Sequence, residues 1–153
     1  MLAQVDEPVH TRTEAGGRIA AVPEEAVLAG QWPVLAAVAA GGALGALARW
    51  GVGLALPTPP GAPPWPTLGI NVAGCLLMGL LLGVLSRRRT HPLLRPFAGT
   101  GVLGGFTTFS GYAVDGLGLP LGPAAGYLAG TLAGALVATS VGSWAGRRAA
   151  GPL

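Results

Sequence analysis

The sequence is poor in charged residues, in lysine and in cysteine, and each shortage excludes a class of protein. Soluble domains carry about 25% charged residues, whereas only 10% of these 153 residues are charged and 51% are hydrophobic. All nine basic residues are arginine, and the single cysteine, Cys75, excludes an internal disulfide. The chain has no recognisable set of nucleophile, base and acid, no phosphate-binding loop and no cluster of metal ligands. We therefore expect a membrane protein, and neither an enzyme nor a nucleic-acid-binding protein.

A polar segment, residues 1–30, precedes the apolar part of the chain. It holds five of the six acidic residues together with Arg12 and Arg18, and it lacks the basic and then apolar order of a signal peptide. We expect a flexible or weakly helical tail, to which we assign no function. A second, short tail is predicted at 149–153.

Between residues 31 and 148 follow four apolar runs, each of a length that crosses a bilayer. A helix needs about 20 residues to cross roughly 30 Å of hydrocarbon. The second and fourth runs lack the polar face that a helix in a soluble bundle needs. We therefore expect an all-α integral membrane protein with a four-helix membrane domain. Its transmembrane helices are predicted at about 33–56, 67–85, 97–119 and 124–145.

The arginines are distributed unevenly between the two ends of these helices. With four crossings, both termini and the loop after the second helix share one side, which receives eight of the nine arginines. The two opposite loops contain no basic residue. Since positively charged loops stay in the cytoplasm, we predict a multi-pass protein of the cell membrane with both termini inside. The eight arginines are Arg12, Arg18, Arg87, Arg88, Arg89, Arg95, Arg147 and Arg148.

Glycines recur four positions apart in every run, which predicts close helix packing in lipid. Four thin helices are few for a pore, so we also expect an oligomer. The predicted contact glycines are Gly41 and Gly45, Gly79 and Gly83, Gly101 and Gly105, and the series Gly122, Gly126, Gly130 and Gly134.

A few polar and aromatic residues stand out at membrane depth, where such residues usually face protein or water. Arg49 either reaches the interface or pairs structurally, or it lends positive potential to a vestibule for anions. Asn71 either joins two helices through its amide or donates hydrogen bonds to an anion. Phe106, Phe109 and Tyr112 recur at every third position, and they either pack on one helix face or direct positive ring edges at an anion.

Hydroxyl groups recur at multiples of four positions in the fourth run, at Tyr127, Thr131, Thr139 and Ser143, with Ala135 between the two pairs. At 3.6 residues per turn this stripe drifts by about 40° at each step. We therefore expect that not all four hydroxyls face one lumen. The alternative is that they bond back to their own helix.

Three motifs stand in order along the membrane part of the chain. They are "GGALGALARW" (41–50), "WPTLGINVAGCLLMG" (65–79) and "GTGVLGGFTTFSGYAVD" (99–115). Together they resemble the Fluc (CrcB) family of fluoride channels, over about 41–145. The resemblance implies a fluoride-specific channel that exports fluoride passively and so reduces its toxicity. It also implies an antiparallel dimer of four-helix subunits, with two narrow fluoride pathways along the subunit interface.

The resemblance also implies roles for single residues. The third helix would break at its centre, where the carbonyls of Gly104 and Thr107 from both subunits would hold one structural sodium ion that is not transported. Arg49 would be the first-helix arginine, and Asp115 sits where the family tends to have an acidic residue. The fluoride pathway would include Asn71, Thr108, Phe109, Ser110, Tyr112, Tyr127 and Thr131.

Two positions depart from the family pattern, since Gly111 replaces a threonine and Tyr112 replaces the second pore phenylalanine. This part of the pore wall is therefore either altered or supplied by a partner chain. The arginine bias also conflicts with an antiparallel homodimer, which needs one sequence inserted both ways. The partner is thus either a second copy or an oppositely oriented paralogue.

Two other interpretations belong to different classes. A small four-span multidrug-type exporter needs a membrane carboxylate to exchange protons for a cationic drug, and the first two runs contain none. A non-transporting membrane subunit would need none of the polar residues singled out above.

Overall fold

The computed structural model describes residues 24–59 and 61–151, with side chains from residue 30 onward. Most of the predicted N-terminal tail, with Arg12 and Arg18, lies outside these ranges, as do the last two residues of the chain. All packing described below lies within the compact unit Trp32–Leu153.

Every regular element in the described part is helical, as the sequence predicted. Helix α1 is Glu24–Ala55, and α2 is Trp65–Leu85. A π-helical stretch, Arg95–Leu103, continues directly into one α-helical turn, Gly104–Phe106, and the two together are called α3. Helix α4 is Phe109–Leu117, and α5 is Leu121–Ala149.

Three helices of the described part are long and apolar enough to cross a membrane: Gly30–Ala55 within α1, then α2 and α5. They start earlier than predicted because prolines do not end them. A proline is tolerated in the first turn of a helix, where its missing N–H has no acceptor to lose, and Pro66 and Pro123 lie there. Pro33 lies inside α1. At its other end α5 runs through Arg147 and Arg148, whose charges favour a helix C-terminus.

The helix directions follow from which glycines approach which neighbours. Gly41 lies against Gly101, and Gly45 lies against Phe106, so α1 and α3 run in the same direction. Gly74 lies against Thr107 while Gly99 faces Leu81, so α2 is antiparallel to α3. Gly79 and Gly83 approach Thr139 and Ser143 in that order, so α5 is parallel to α2. The end of α2, the start of α3 and the end of α5 therefore lie at one end of the bundle.

That end, called the basic end below, carries most of the arginines of the described chain. Its members are Arg87, Arg88, Arg89, Arg95, Arg147 and Arg148. The predicted gathering of these six residues on one side is therefore confirmed.

Glycine brings the backbones of neighbouring helices into direct contact. A Cβ atom at Gly142 would overlap the Leu76 carbonyl, and one at Gly146 would overlap the Leu80 carbonyl. The predicted contacts of the first three glycine pairs are confirmed. Within the described chain the series of the fourth run makes no such approach, which Gly142 and Gly146 make instead, and its role between chains stays a prediction. A Cβ atom at Gly134 would meet only a side chain, and one at Gly122, Gly126 or Gly130 would meet no other part of the described chain within 4 Å.

Large apolar side chains cover the outside of this bundle. Leu47, Trp50 and Leu54 on α1 are each at least 60% exposed. Water would make such a surface costly, whereas lipid or another apolar chain would not. The exposed surface therefore agrees with a membrane environment.

We expect Gly142→Ala to lower the free energy of unfolding by about 1–3 kcal/mol, because overpacking forces the α2 and α5 backbones apart. The measurement is thermal unfolding in detergent, followed by circular dichroism. Gly53→Ala is the control, since a Cβ atom at Gly53 would meet no other group of the described chain within 4 Å and alanine favours a helix over glycine by about 1 kcal/mol. Equal stability of the two variants would contradict the backbone contact.

Candidate functional site

The site is built around a gap between α3 and α4, where two residues leave the helical conformation. Thr107 (ψ 158°) and Thr108 (φ −144°, ψ 118°) have extended backbones. In an unbroken helix the Thr108 N–H would donate to the Gly104 carbonyl, but it donates to Asn71 Oδ1 at 2.8 Å. The Gly104 carbonyl therefore loses its helical donor. Backbone of this kind is tolerated at membrane depth only where it is buried in protein or lines a cavity.

Asn71 on α2 satisfies both polar backbone groups of Thr108. Its Nδ2 donates to the Thr108 carbonyl at 3.0 Å, while its Oδ1 accepts from the Thr108 N–H. The side chain is buried, with 8% exposed. Of the two alternatives considered for Asn71, the structure shows the first, since its amide links α2 to the gap between α3 and α4. The second N–H of Nδ2 takes no part in this link.

Arg49 on α1 satisfies the other backbone carbonyl of the gap. Its Nη1 donates to the Thr107 carbonyl at 3.1 Å, and the side chain is half-buried. Gly45, one turn earlier, lies against the α3 backbone at Val102 and Phe106, which brings α1 close enough for this bond. Arg49 thus makes a structural pairing, as one of the alternatives for it predicted.

The two threonine side chains of the gap hold the helix ends on either side. The Thr107 hydroxyl donates to the Leu103 carbonyl at 3.0 Å, in the last turn of α3. The Thr108 hydroxyl accepts from the Gly111 N–H at 3.0 Å and so caps the start of α4. A Cβ atom at Gly111 would come within 2.9 Å of Thr108 Cγ2, so glycine leaves room for this cap. Ser110 Oγ lies 3.4 Å from Thr108 Oγ1.

Three aromatic rings form a row beside the gap. The ring centroids of Phe109 and Tyr112 are 5.7 Å apart, and those of Tyr112 and Tyr127 are also 5.7 Å apart. The Tyr112 hydroxyl donates to the Leu128 carbonyl of α5 at 3.0 Å. Phe109, at the open end of the row, is 82% exposed. The alternative in which Phe106 shares this helix face is wrong, because the gap separates it and its ring lies near Gly74 on α2.

Two hydroxyl groups of α5 are buried without a hydrogen-bond partner in the described part of the chain. Tyr127 is 7% exposed and Thr131 is 3% exposed, and neither side-chain oxygen is paired there. A buried polar group without a partner costs about 1–3 kcal/mol, so both are candidates for ligand contact. The Thr139 hydroxyl differs, since it donates to the Ala135 carbonyl of its own helix at 2.9 Å.

Asp115 on α4 lies next to the first turn of α2. Its Oδ2 accepts from the Thr67 hydroxyl at 2.6 Å, which ties α4 to the start of α2. Sequence reasoning missed Thr67, although its spacing of four from Asn71 places both on one face of α2. It also missed the Leu128 carbonyl, because no pattern in a sequence marks a backbone acceptor.

The structure therefore brings most of the predicted residues to one region, in two groups. The first surrounds the gap and contains Arg49, Asn71, Gly104, Thr107, Thr108 and Ser110. The second is the row Phe109, Tyr112 and Tyr127, with Thr131 one turn further along α5.

Comparison with known proteins gives consistent similarities. The family model described as CrcB-like protein, Camphor Resistance (CrcB), matches residues 36–143. Fluoride-specific ion channel FluC 1 of Streptomyces coelicolor is 49% identical over 140 residues, which cover 87% of this chain and 90% of the relative. Fluoride-specific ion channel FluC 2 of Thermobifida fusca is 62% identical over 85 residues, covering 55% and 63%. Fluoride-specific ion channel FluC of Paracoccus denitrificans is 47% identical over 115 residues, covering 72% and 91%.

We expect Asn71→Leu to lower the free energy of unfolding by about 2 kcal/mol or more, because it leaves two polar backbone groups of Thr108 unpaired. Thermal unfolding in detergent measures the change. Thr139→Val is the matched control, since its hydroxyl bonds only to its own helix and its loss leaves no other group unpaired. Equal unfolding temperatures of the two variants would show that the hydrogen bonds of Asn71 do not stabilise the fold.

Proposed function

Since this chain belongs to the CrcB-like family, whose model matches most of it, we propose that it is a fluoride-specific channel through which fluoride leaves the cytoplasm passively. The family is one of ion channels rather than enzymes, and the chain is a multi-pass membrane protein. A negative cell interior expels an anion, since each 100 mV is worth about 2.3 kcal/mol per charge. The observation that carries the proposal is the gap at Thr107 and Thr108, with its adjoining row of aromatic rings.

We further propose that α3 and α4 form a single third crossing, interrupted at its middle by the gap. Together they cover 95–117, a length that reaches across roughly 30 Å of hydrocarbon. In support, Thr107 lies against Gly74, in the middle of α2. The crossing then brings two helix ends to the middle of the membrane, where their partial charges act on an ion.

The donor set at the gap fits a structural sodium ion. The Gly104 carbonyl has lost its helical donor, and the Thr107 carbonyl uses one of its two lone pairs for Arg49. Carbonyls of unwound membrane helices are ligands that sodium takes. The Arg49 guanidinium beside Thr107 repels a second positive charge, so the two carbonyls of one chain alone would hold sodium weakly. The same two carbonyls of a second chain would therefore be needed to complete the site. When bound, sodium would add positive charge at the gap and hold these carbonyls together.

Fluoride is small and strongly hydrated, so a narrow apolar path must offer it other donors. The remaining N–H of Asn71 and the unpaired hydroxyls of Tyr127 and Thr131 supply such donors. The rings of Phe109 and Tyr112 add positive edges. The Tyr112 hydroxyl is engaged by Leu128, so this residue contributes its ring. Pore width and donor placement would then refuse the larger chloride ion.

The single chain leaves surfaces that suit the proposed antiparallel partner. Gly122, Gly126 and Gly130 form an open stripe on α5, and small residues of this kind let two membrane helices approach closely. Phe109 is 82% exposed, so its ring needs a second chain to be enclosed. The basic end favours one orientation in the membrane, with that end in the cytoplasm. We therefore propose that the partner is an oppositely oriented paralogue.

We expect liposomes that hold this chain with an oppositely oriented family member to release fluoride but retain chloride, as measured by ion-selective electrodes. Phe109→Ile should reduce the fluoride rate by about tenfold, because it removes the positive ring edge, and it changes a position that is 82% exposed in the single chain. Removing sodium should also lower the rate. Thr139→Val is the control, because the Thr139 hydroxyl bonds only within α5, and this variant should keep the rate of the unsubstituted chain.

Two other outcomes would contradict the channel proposal. Fluoride release no faster than from empty liposomes would indicate a non-transporting subunit, and efflux of cationic drugs would indicate an exporter.

A separate test concerns the partner. In cells without other fluoride channels, we expect fluoride export only when the chain is expressed together with an oppositely oriented paralogue, because the arginine bias fixes its own orientation. Intracellular fluoride and growth in fluoride are the measurements. Robust export by this chain alone would refute the need for a paralogue while leaving the channel proposal intact.

A further inference from the structure

The basic end gathers positive charge, and none of the side chains described there is acidic. Among the side chains that the structure describes, 30–59 and 61–151, only Asp115 is acidic, and it bonds Thr67 at the opposite end of α2. Six arginines lie at the basic end, and all but Arg87 are exposed. Charge of this density at the end of membrane helices attracts anions.

A groove opens at this end between the last turn of α2 and the first turn of α3. Leu82, Leu85 and Pro92 form its apolar part, and Thr90, His91 and Arg95 are among its polar residues. Because the leucines belong to a membrane helix, the apolar part continues towards the hydrocarbon region. The groove therefore combines an apolar floor with a polar mouth.

Donor groups dominate the mouth of the groove. The Leu93 N–H donates to His91 Nδ1 at 3.2 Å, so the proton of the neutral ring lies on Nε2, which is a donor. Arg95 presents a planar fork of N–H groups that suits the oxygens of a phosphate. The start of α3 adds the positive end of a helix dipole at the same place.

An aromatic and cationic pair indicates the depth of the basic end in the membrane. Arg148 lies over the ring of Trp144, with its guanidinium carbon 4.5 Å from the ring centroid. Tryptophan and arginine are typical of the boundary between hydrocarbon and headgroups. This pair agrees with a position of the basic end at the level of lipid phosphates.

We propose that this groove binds an anionic phospholipid, with its phosphate at Arg95 and His91 and an acyl chain along Leu82 and Leu85. The charge complementarity of the mouth selects an anionic headgroup, and the apolar floor selects a lipid over free phosphate. The site goes beyond fluoride transport, because none of its residues belongs to the gap or to the aromatic row.

The test measures the thermal unfolding midpoint of the purified full chain in detergent, with added phosphatidylglycerol, phosphatidylcholine or inorganic phosphate. Of these three additions, we expect only phosphatidylglycerol to raise the unfolding midpoint. Arg95→Gln should need about tenfold more phosphatidylglycerol for half of the shift, because it loses the charge-assisted hydrogen bonds of the guanidinium to the lipid phosphate. If this variant does not fold, Arg95→Lys is measured instead, and it should also respond more weakly because it lacks the fork.

Arg148→Gln is the matched control, since it removes the same charge from the same end but lies outside the groove. We expect it to keep the response of the unsubstituted chain. An equal loss in both variants would show attraction by surface charge alone and would overturn the site. An equal shift with inorganic phosphate or phosphatidylcholine would overturn the anionic lipid as its ligand. None of these measurements involves fluoride, so their failure is distinct from failure of the channel proposal.

Discussion

The reciprocal hydrogen bonds between Asn71 and Thr108 are the constraint on which the rest of the site depends. A chain that leaves the helical conformation at membrane depth exposes N–H and carbonyl groups that lipid cannot satisfy. Asn71 pairs with both groups of Thr108, and Arg49 pairs with the Thr107 carbonyl. These contacts come from two different helices, so the gap exists only in the assembled bundle. The positions of Phe109 and Tyr112 follow from it, because α4 starts where the gap ends.

Close approach of helix backbones makes these contacts possible. The glycines of α1 and α3 bring Arg49 within reach of the gap, and Gly74 lets α2 pass beside Thr107. On the other side, Gly142 and Gly146 hold α5 against α2, which sets Tyr127 beside Tyr112. Side-chain packing alone would hold the helices further apart, and the polar groups would then miss their partners.

The helical class and three of the long apolar helices could be predicted from the sequence, because long apolar runs between polar breaks leave few other structures. Arg49 and Asn71 could also be identified, since each is an isolated polar residue in an apolar run. Their partners could not, because these are backbone groups that appear only when the helix is interrupted. The bond from Tyr112 to Leu128 and the role of Thr67 likewise depend on how helices are rotated against one another. The spacing of the glycine series of α5 marks a face of the helix but does not say whether its own chain or another chain covers that face.

The open stripe at Gly122, Gly126 and Gly130 has a consequence for the surrounding lipid. Because glycine has no side chain, this face of α5 forms a shallow groove. Lipid acyl chains that fill the groove align with the helix and lose conformational freedom. Any helix that fills the groove returns those acyl chains to the fluid bilayer, and the gain in their entropy favours association. The entropy of the lipid would thus favour the association proposed for this chain.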